Sequence, residues 1–448
     1  MNDADPYNWP AHKKLVNLLL VAFHAMMGTF TAAAIQSAFE PIAVDLGVSI
    51  QRASYLTSLV IAILGGAPLF WRPLAGRYGR RPIFLLSLVG SLAGNIGCAK
   101  SPTYATMGLC RAITAFCISP AAAIGSAVVS ETYFKRERAQ YMGVWTVMIT
   151  IGVPTAPFIF GFVALRVGYR WIYWILACTN AAQLLLHLLF GAESLYIRGR
   201  EDPKVGGFAQ KFRFRRIDPR PLLWWDFVKP LGLAVRWRVL LPAVSYSMVF
   251  CLAGVLITIE IPQLYVEKFH LNTQQVGLQN LSIIIGALIG EQVGGYLSDR
   301  WMRRRGTKGG RPADPEFRLW LSYPGFLLAI CGLVVFLVRI EQAATKWNIT
   351  PTIGAGIAAA GIQIVTTILI TYAVDCYRDE AASIGVFITF VRQTWGFIGP
   401  FWFPDMIANV GLYGSAGITT ALMVAVSILP VMWLQWRGLS VGPQREEA

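Results

Sequence analysis

The feature that most constrains this chain is a series of apolar runs too long for the interior of a soluble domain. Residues 15–39, 83–99, 240–259 and 411–434 each approach the ~20 residues that a helix needs to cross ~30 Å of hydrocarbon. Only 14% of the 448 residues are charged, against about 25% in soluble chains. A larger core does not remove that difference, because soluble chains of this size still expose polar surface. A bilayer is therefore the expected solvent. Run length, Gly and Pro breaks and charge punctuation predict twelve spans, near 15–39, 54–71, 83–99, 103–128, 139–165, 171–190, 238–261, 275–297, 319–339, 351–373, 381–403 and 411–436. Pro68, Pro120, Pro154, Pro157 and Pro324 fall inside spans, where neighbouring helices satisfy the freed backbone groups.

The net charge of +15 would suit a nucleic-acid partner if the cations shared one surface. They mark orientation instead. Of the 39 Lys and Arg, 30 lie in the termini and in alternate loops, which places both termini in the cytoplasm. Seven (Arg52, Lys100, Arg166, Arg170, Lys268, Arg339 and Lys346) lie in the other loops, and Arg111 and Arg392 fall within spans. No nucleic-acid partner is expected. Asp3 and Asp5 precede Lys13 and Lys14, and the run that follows is too long for a cleaved leader, so the first span is expected to stay. The seven cysteines lie inside or at the ends of apolar runs, as packing residues. The four histidines form no H-x-x-x-H pair, and neither metal nor cofactor is expected. There is no G-x-x-x-x-G-K-[ST] to bind ATP and no Cys/His cluster or catalytic acid pair, so the chain does not read as an enzyme.

Residues 191–237 separate six spans from six, giving an N-terminal bundle (1–190), a basic Pro-punctuated cytoplasmic linker and a C-terminal bundle (238–448). Phe212, Phe214, Trp224 and Trp225 in the linker suit the headgroup layer beside anionic lipids. The halves echo one another. Residues 72–81 read Arg-Pro-Leu-Ala-Gly-Arg-Tyr-Gly-Arg-Arg, and residues 295–304, at an offset of 223, read Gly-Tyr-Leu-Ser-Asp-Arg-Trp-Met-Arg-Arg. Glu131-Thr132-Tyr133 and Asp375-Cys376-Tyr377 form a second echo. Repetition in the same sense fits two parallel six-helix bundles around a central cavity.

With these motifs the chain resembles the major facilitator superfamily over its whole length, and more narrowly the fungal twelve-span drug:proton antiporters with their polyamine- and cation-transporting branch. The opening Asp5-Pro6-Tyr7-Asn8-Trp9-Pro10 with Lys13-Lys14, and Pro41-Ile42-Ala43-Val44-Asp45-Leu46-Gly47, are similar to those chains. The most specific element is the loop signature G-x-L-a-D-r-x-G-r-r, met in its first half by Gly295, Leu297, Asp299 and Arg300. The first copy has Arg72 in place of the Gly and Gly76 in place of the Asp. The resemblance implies an all-α membrane fold whose cytoplasmic side is latched by these loops. The first latch is expected to bring Arg77, Arg80 or Arg81, around the Gly79 turn, to Glu131; the second to join Asp299 and Arg300 with Asp375.

Within the spans, Arg111 resembles the family's buried Arg of span four and is expected to face the cavity or serve coupling. Arg392 is expected to pair with backbone or an acid, as a coupling or cavity candidate or in a structural role alone. Gly152, Pro157 and Gly161 resemble the antiporter motif, and close helix packing accounts for them equally. Glu260, in a span that the resemblance puts on the cavity, is the first candidate for proton coupling, because an acid in apolar surroundings can exchange a proton near neutral pH. Glu291, which could also cap the latch through Arg303, is the second, and His24 reads as a packed histidine that could titrate. Asn348-Ile349-Thr350 is a glycan acceptor in an outer loop. The expected function is proton-coupled transport of a small molecule by a monomer in the plasma membrane, with efflux of a secondary metabolite or xenobiotic favoured. Uptake of a polyamine or other organic cation, or a sensor or scaffold on a transporter fold, are the alternatives.

Overall fold

The computed structural model describes residues 5–134, 137–196, 216–298, 300–302, 304, 315–343, 346–377 and 380–441; of 138–140 and 438–441 it describes the backbone alone. Among the described residues every element is helical. The first six crossings are α1 (Ala11–Ala33), α2 (Ile50–Tyr78), α3 (Arg80–Lys100), α4 (Tyr104–Thr132), α5 (Arg138–Val167) and α6 (Arg170–Phe190). Then follow α7 (Trp237–Phe269), α8 (Thr273–Gln292, running on as a π-turn), α9 (Ser322–Gln342) and α10 (Thr350–Cys376). The last apolar stretch, Ala381–Arg437, has 57 residues. A straight helix of that length would reach ~85 Å, nearly three bilayer cores. It is broken at Gly411, whose φ of 70° is left-handed backbone that glycine adopts without a Cβ clash. The break defines α11 (381–410) and α12 (412–437). Glu380 before α11 pairs with Arg236 at 3.1 Å, and Trp433 near the end of α12 meets Trp237 at 5.5 Å between ring centroids. The chain thus returns to the face where α11 began, and among the described residues the crossings number twelve.

Helix ends agree with local chemistry. Ser49 caps α2, while Thr103 with Thr106 and Asn272 with Gln275 form reciprocal capping pairs at the starts of α4 and α8. All three lie on one face, called here the far face. The described ends of the chain, with 191–196 and 216–236, lie on the other, the linker face. The helices outrun the predicted spans: α2 covers 50–78 where 54–71 was expected, and α7 reaches Phe269 where 261 was expected. Hydropathy ends at the hydrocarbon edge, whereas backbone hydrogen bonding continues beyond it.

The largest buried apolar cluster draws on Leu233 to Leu434, and the other three on Leu18 to Leu176, so none crosses 191–237. Small residues close the helix contacts inside the second half, where a Cβ on Gly332 would stand 2.2 Å from the Ala358 nitrogen. The halves meet along α5–α8 and α2–α11. A Cβ on Gly277 would lie 2.6 Å from the Pro157 carbonyl oxygen, and one on Gly65 2.7 Å from Cβ of Gln393. Gln51 Nε2 donates to the Pro400 carbonyl at 2.7 Å on the far face, and Arg72 Nη1 to Ser383 Oγ at 3.0 Å on the linker face.

Candidate functional site

On the linker face, the turn between α2 and α3 is held from three sides. Gly79, at φ 99°, leaves the first amides of α3 without helical acceptors. Glu193, just after α6, supplies them: its carboxylate accepts from Arg80 N at 2.8 Å and Arg81 N at 3.0 Å. A Cβ at position 79 would stand 2.5 Å from Glu193 Oε2, so this close approach needs glycine twice over. Burial pushes the Glu193 carboxyl above the ordinary carboxylate range, against the amide donors of Arg80, Leu195 and Arg81 and the Arg80 charge that pull it down. Arg80 Nη2 meets Glu131 Oε1 at 2.7 Å, the pairing expected of the first latch, and Ser194 Oγ donates to Glu131 Oε2 at 2.8 Å.

Arg77 pairs with other acids. It pairs with Asp218 and, at 3.3 Å, with Asp226, while its carbonyl accepts from Ile217 N at 2.8 Å. The Arg220 amide, and then Arg77, hold the Asp218 carboxyl below the ordinary range. Arg81 Nη2 donates to the Leu188 carbonyl at 3.0 Å. Gly76 faces open space, so no steric demand explains the missing Asp. Glu193, Asp218 and Asp226 escape a charge count that treats 191–237 as a basic linker; their signal is acidic residues within a basic segment.

The second latch is described only in part. Asp299 and Arg303 lie outside the described residues, and Gly295 faces open space. Arg300 Nη1 donates to Tyr296 OH at 3.3 Å. Asp375 pairs with Arg318 at 3.4 Å, and Arg318 also donates to Ser298 Oγ at 2.8 Å. The expected partnership of Arg300 with Asp375 is corrected to Arg318, which lies in the short 3-10 helix Pro315–Leu321 ahead of α9 and so approaches α10 directly.

Inside the membrane the polar candidates separate. Arg111 is 1% exposed and lies within the first half. Its guanidinium donates to the carbonyls of Leu56 (3.1 Å) and Ala32 (3.3 Å) and to Tyr173 OH (3.5 Å). The expectation of a cavity-facing Arg111 is corrected accordingly: backbone acceptors on α1 and α2 hold it inside the bundle. His24 is likewise interior, 3.1 Å from Ser87 Oγ and against the rings of Phe84 and His187. Gly152 packs on Met26 and Thr29 of α1, while Gly161 packs on Thr273 and Gly277 of α8. The antiporter-like motif therefore serves two contacts, one within the first half and one between halves.

The second half carries the acids. Glu260 on α7 is 3% exposed, and its Oε1 is enclosed without a hydrogen-bond partner. Glu291 on α8 accepts from Gln363 Nε2 of α10 at 2.8 Å, and the same nitrogen donates to Thr150 Oγ1 of α5 at 3.2 Å. This polar bridge joins the halves within the membrane, and neither Gln363 nor Thr150 is singled out by charge in the sequence. Arg392 on α11 donates to Tyr246 OH at 3.0 Å, so the partner expected to be backbone or an acid is a phenol of α7.

The model of the Major Facilitator Superfamily matches residues 18–400, and the chain belongs to that family. The family moves small molecules across membranes and is not an enzyme family. Among relatives, the MFS transporter cpaT of Aspergillus oryzae is 26% identical over 446 residues, covering 96% of this chain and 87% of its own. The efflux pump vrtL of Penicillium aethiopicum is 27% identical over 420 residues, covering 92% and 82%. The fold is shared with a bacterial homologue of the human lysosomal transporter Spinster, solved inward-facing and unoccupied. That match has a TM-score of 0.68 at 15% identity and covers 97% of this chain and all of that one.

Proposed function

We propose that this chain is a proton-coupled exporter of a small organic molecule, acting as a monomer in the plasma membrane with its linker face in the cytoplasm. Export is supported by relatives named as efflux pumps. Coupling rests on Glu260. A carboxylate enclosed in the membrane needs a cation or a proton, and among the described residues Glu260 makes no ion pair. A proton neutralises it in one state of the cycle, and water solvates its charge in the other. Rocking of the halves about the α5–α8 and α2–α11 seams exposes it to one side and then the other.

The test is reconstitution into liposomes with a solute panel, with and without a pH gradient. Glu260→Gln keeps the shape and removes the titration, so gradient-driven accumulation is lost while solute exchange persists. A mutant that still concentrates substrate with unchanged pH dependence moves the coupling role to Glu291. With two acids on α7 and α8, uptake of an organic cation is the second reading. The direction of concentrative flux separates it from export.

A further inference from the structure

α7 is not a uniform helix. From Phe250 to Val255 it runs as a π-turn, a local widening that recurs at functional positions. At its edge stands Arg392 of α11, whose guanidinium carbon lies 4.8 Å from the Phe250 ring centroid and 5.8 Å from that of Tyr246. Its Nη1 donates to Tyr246 OH at 3.0 Å, while Nε is enclosed without a partner. Among the described residues no carboxylate pairs with it. Arg111 shows the contrast: two carbonyls and a phenol satisfy that guanidinium inside its bundle.

The direction of Arg392 follows from the helix. Ile398 is exposed together with Thr394, marking the outward stripe of α11. Arg392 lies about half a turn round from it, at 100° per residue. Gly396, one turn on and on the same side, approaches Phe250 and Val255 of α7 and Ile61 of α2. The guanidinium is therefore aimed inward, where the two halves meet.

A membrane-embedded cation with a neutral partner and a vacant donor edge is costly unless something anionic visits it. The Nε edge of a guanidinium takes a carboxylate through two parallel hydrogen bonds, and the rings of Phe250 and Tyr246 offer π-faces beside it. We propose that Arg392, Tyr246 and Phe250 form the recognition subsite for an aromatic anion, a substrate carrying an aromatic ring and an ionised acidic group. This names the substrate class of the exporter above and rests on that reading.

The test compares binding of 2-naphthoate with 2-naphthamide, which has the same shape without the charge, to the purified full chain in nanodiscs. Wild type is expected to prefer the anion roughly tenfold or more, from the added charge-assisted bonds. Arg392→Gln abolishes the preference, Arg392→Lys retains part of it, and Phe250→Leu weakens both probes alike. Equal affinity of wild type for the two probes, or a preference that survives Arg392→Gln, overturns the subsite. Should Arg392→Gln fail to fold, competition in wild type decides: displacement of naphthoate by tryptamine as effectively as by benzoate overturns it. A chain that binds naphthoate selectively but moves no solute in liposomes loses the transport reading and keeps the subsite. One that exports neutral solutes and shows no naphthoate preference does the reverse.

Discussion

Two carboxyl groups on the linker face respond to acid in opposite senses. Burial raises Glu193 above its unfolded value, so folding favours its protonated form and stability falls as pH rises through the window between the two values. Asp218 is lowered, so its contribution is complete above the unfolded value and is lost as pH falls through the folded one. In melting temperature against pH, Glu193→Gln should remove a decline that begins in the ordinary carboxylate range and continues upward. Asp218→Asn should remove a decline confined to lower pH. A Glu193→Gln profile that overlays wild type would show that the amide clasp on α3 carries no titration. Arg111→Gln is a sharper test of structure: each carbonyl left without a donor costs about 1–3 kcal/mol. It should lower thermal stability in detergent while the folded fraction retains transport. Arg111, Glu260 and Arg392 are legible in the sequence because intramembrane charge is conspicuous. The direction of Arg111 is not, because acceptors that are backbone carbonyls on other helices leave no mark in residue identity. Glu193 was hidden for a related reason: its partners are amides, which every residue carries.

At the scale of elements, packing of the seams depends on absent side chains. Gly277→Ala sets a methyl 2.6 Å from the Pro157 oxygen and 3.2 Å from the Gly161 Cα, so α5 and α8 must part. Loss of thermal stability by about 1–3 kcal/mol is expected, with a larger loss of transport. Gly277→Ala matching wild type in both would show that the seam yields freely. Gly411→Ala works differently, through a positive-φ backbone with nothing within 4 Å, and costs about 1–3 kcal/mol by strain alone. The spans were legible as elements because hydropathy marks hydrocarbon. Their ends were not, since α2 continues through Arg72 and Arg77 and α7 through Glu267 and Lys268, where water and headgroups accept charge on an unbroken helix.

For the whole molecule, the Thr150–Gln363–Glu291 bridge ties one half to the other. Gln363→Leu removes both hydrogen bonds, worth roughly 1–3 kcal/mol together, and should shift the balance between inter-half arrangements by about tenfold. Spin labels on α5 and α8 report that change as a redistribution of distances; an unaltered distribution removes the bridge from the cycle. Topology makes its own prediction. Asn348 is exposed beside α10, its Oδ1 accepting from Thr350 Oγ1 at 2.9 Å, so a eukaryotic host should glycosylate it, read as a glycosidase-sensitive mobility shift. External protease should spare 191–237. The repeat at 72–81 and 295–304 made twelve crossings and two matching halves readable, because positive loops recur at a fixed offset. Which residues link the halves was not readable, since pairs such as Thr150 with Gln363 are more than 200 positions apart.

The connection between halves is much shorter than its sequence suggests. Asp218 and Asp226 fasten it to Arg77, Phe227 lies 5.9 Å from Phe70 of α2, and Arg236 is already bound to Glu380 of the second half. Only residues 228–235 remain between the two attachments, most of them in a short 3-10 helix from Lys229 to Val235. Fully drawn out, such a segment reaches no more than about 30 Å. The linker is thus a leash of eight residues, and it caps how widely the linker face can gape as long as the fastening at Arg77 holds.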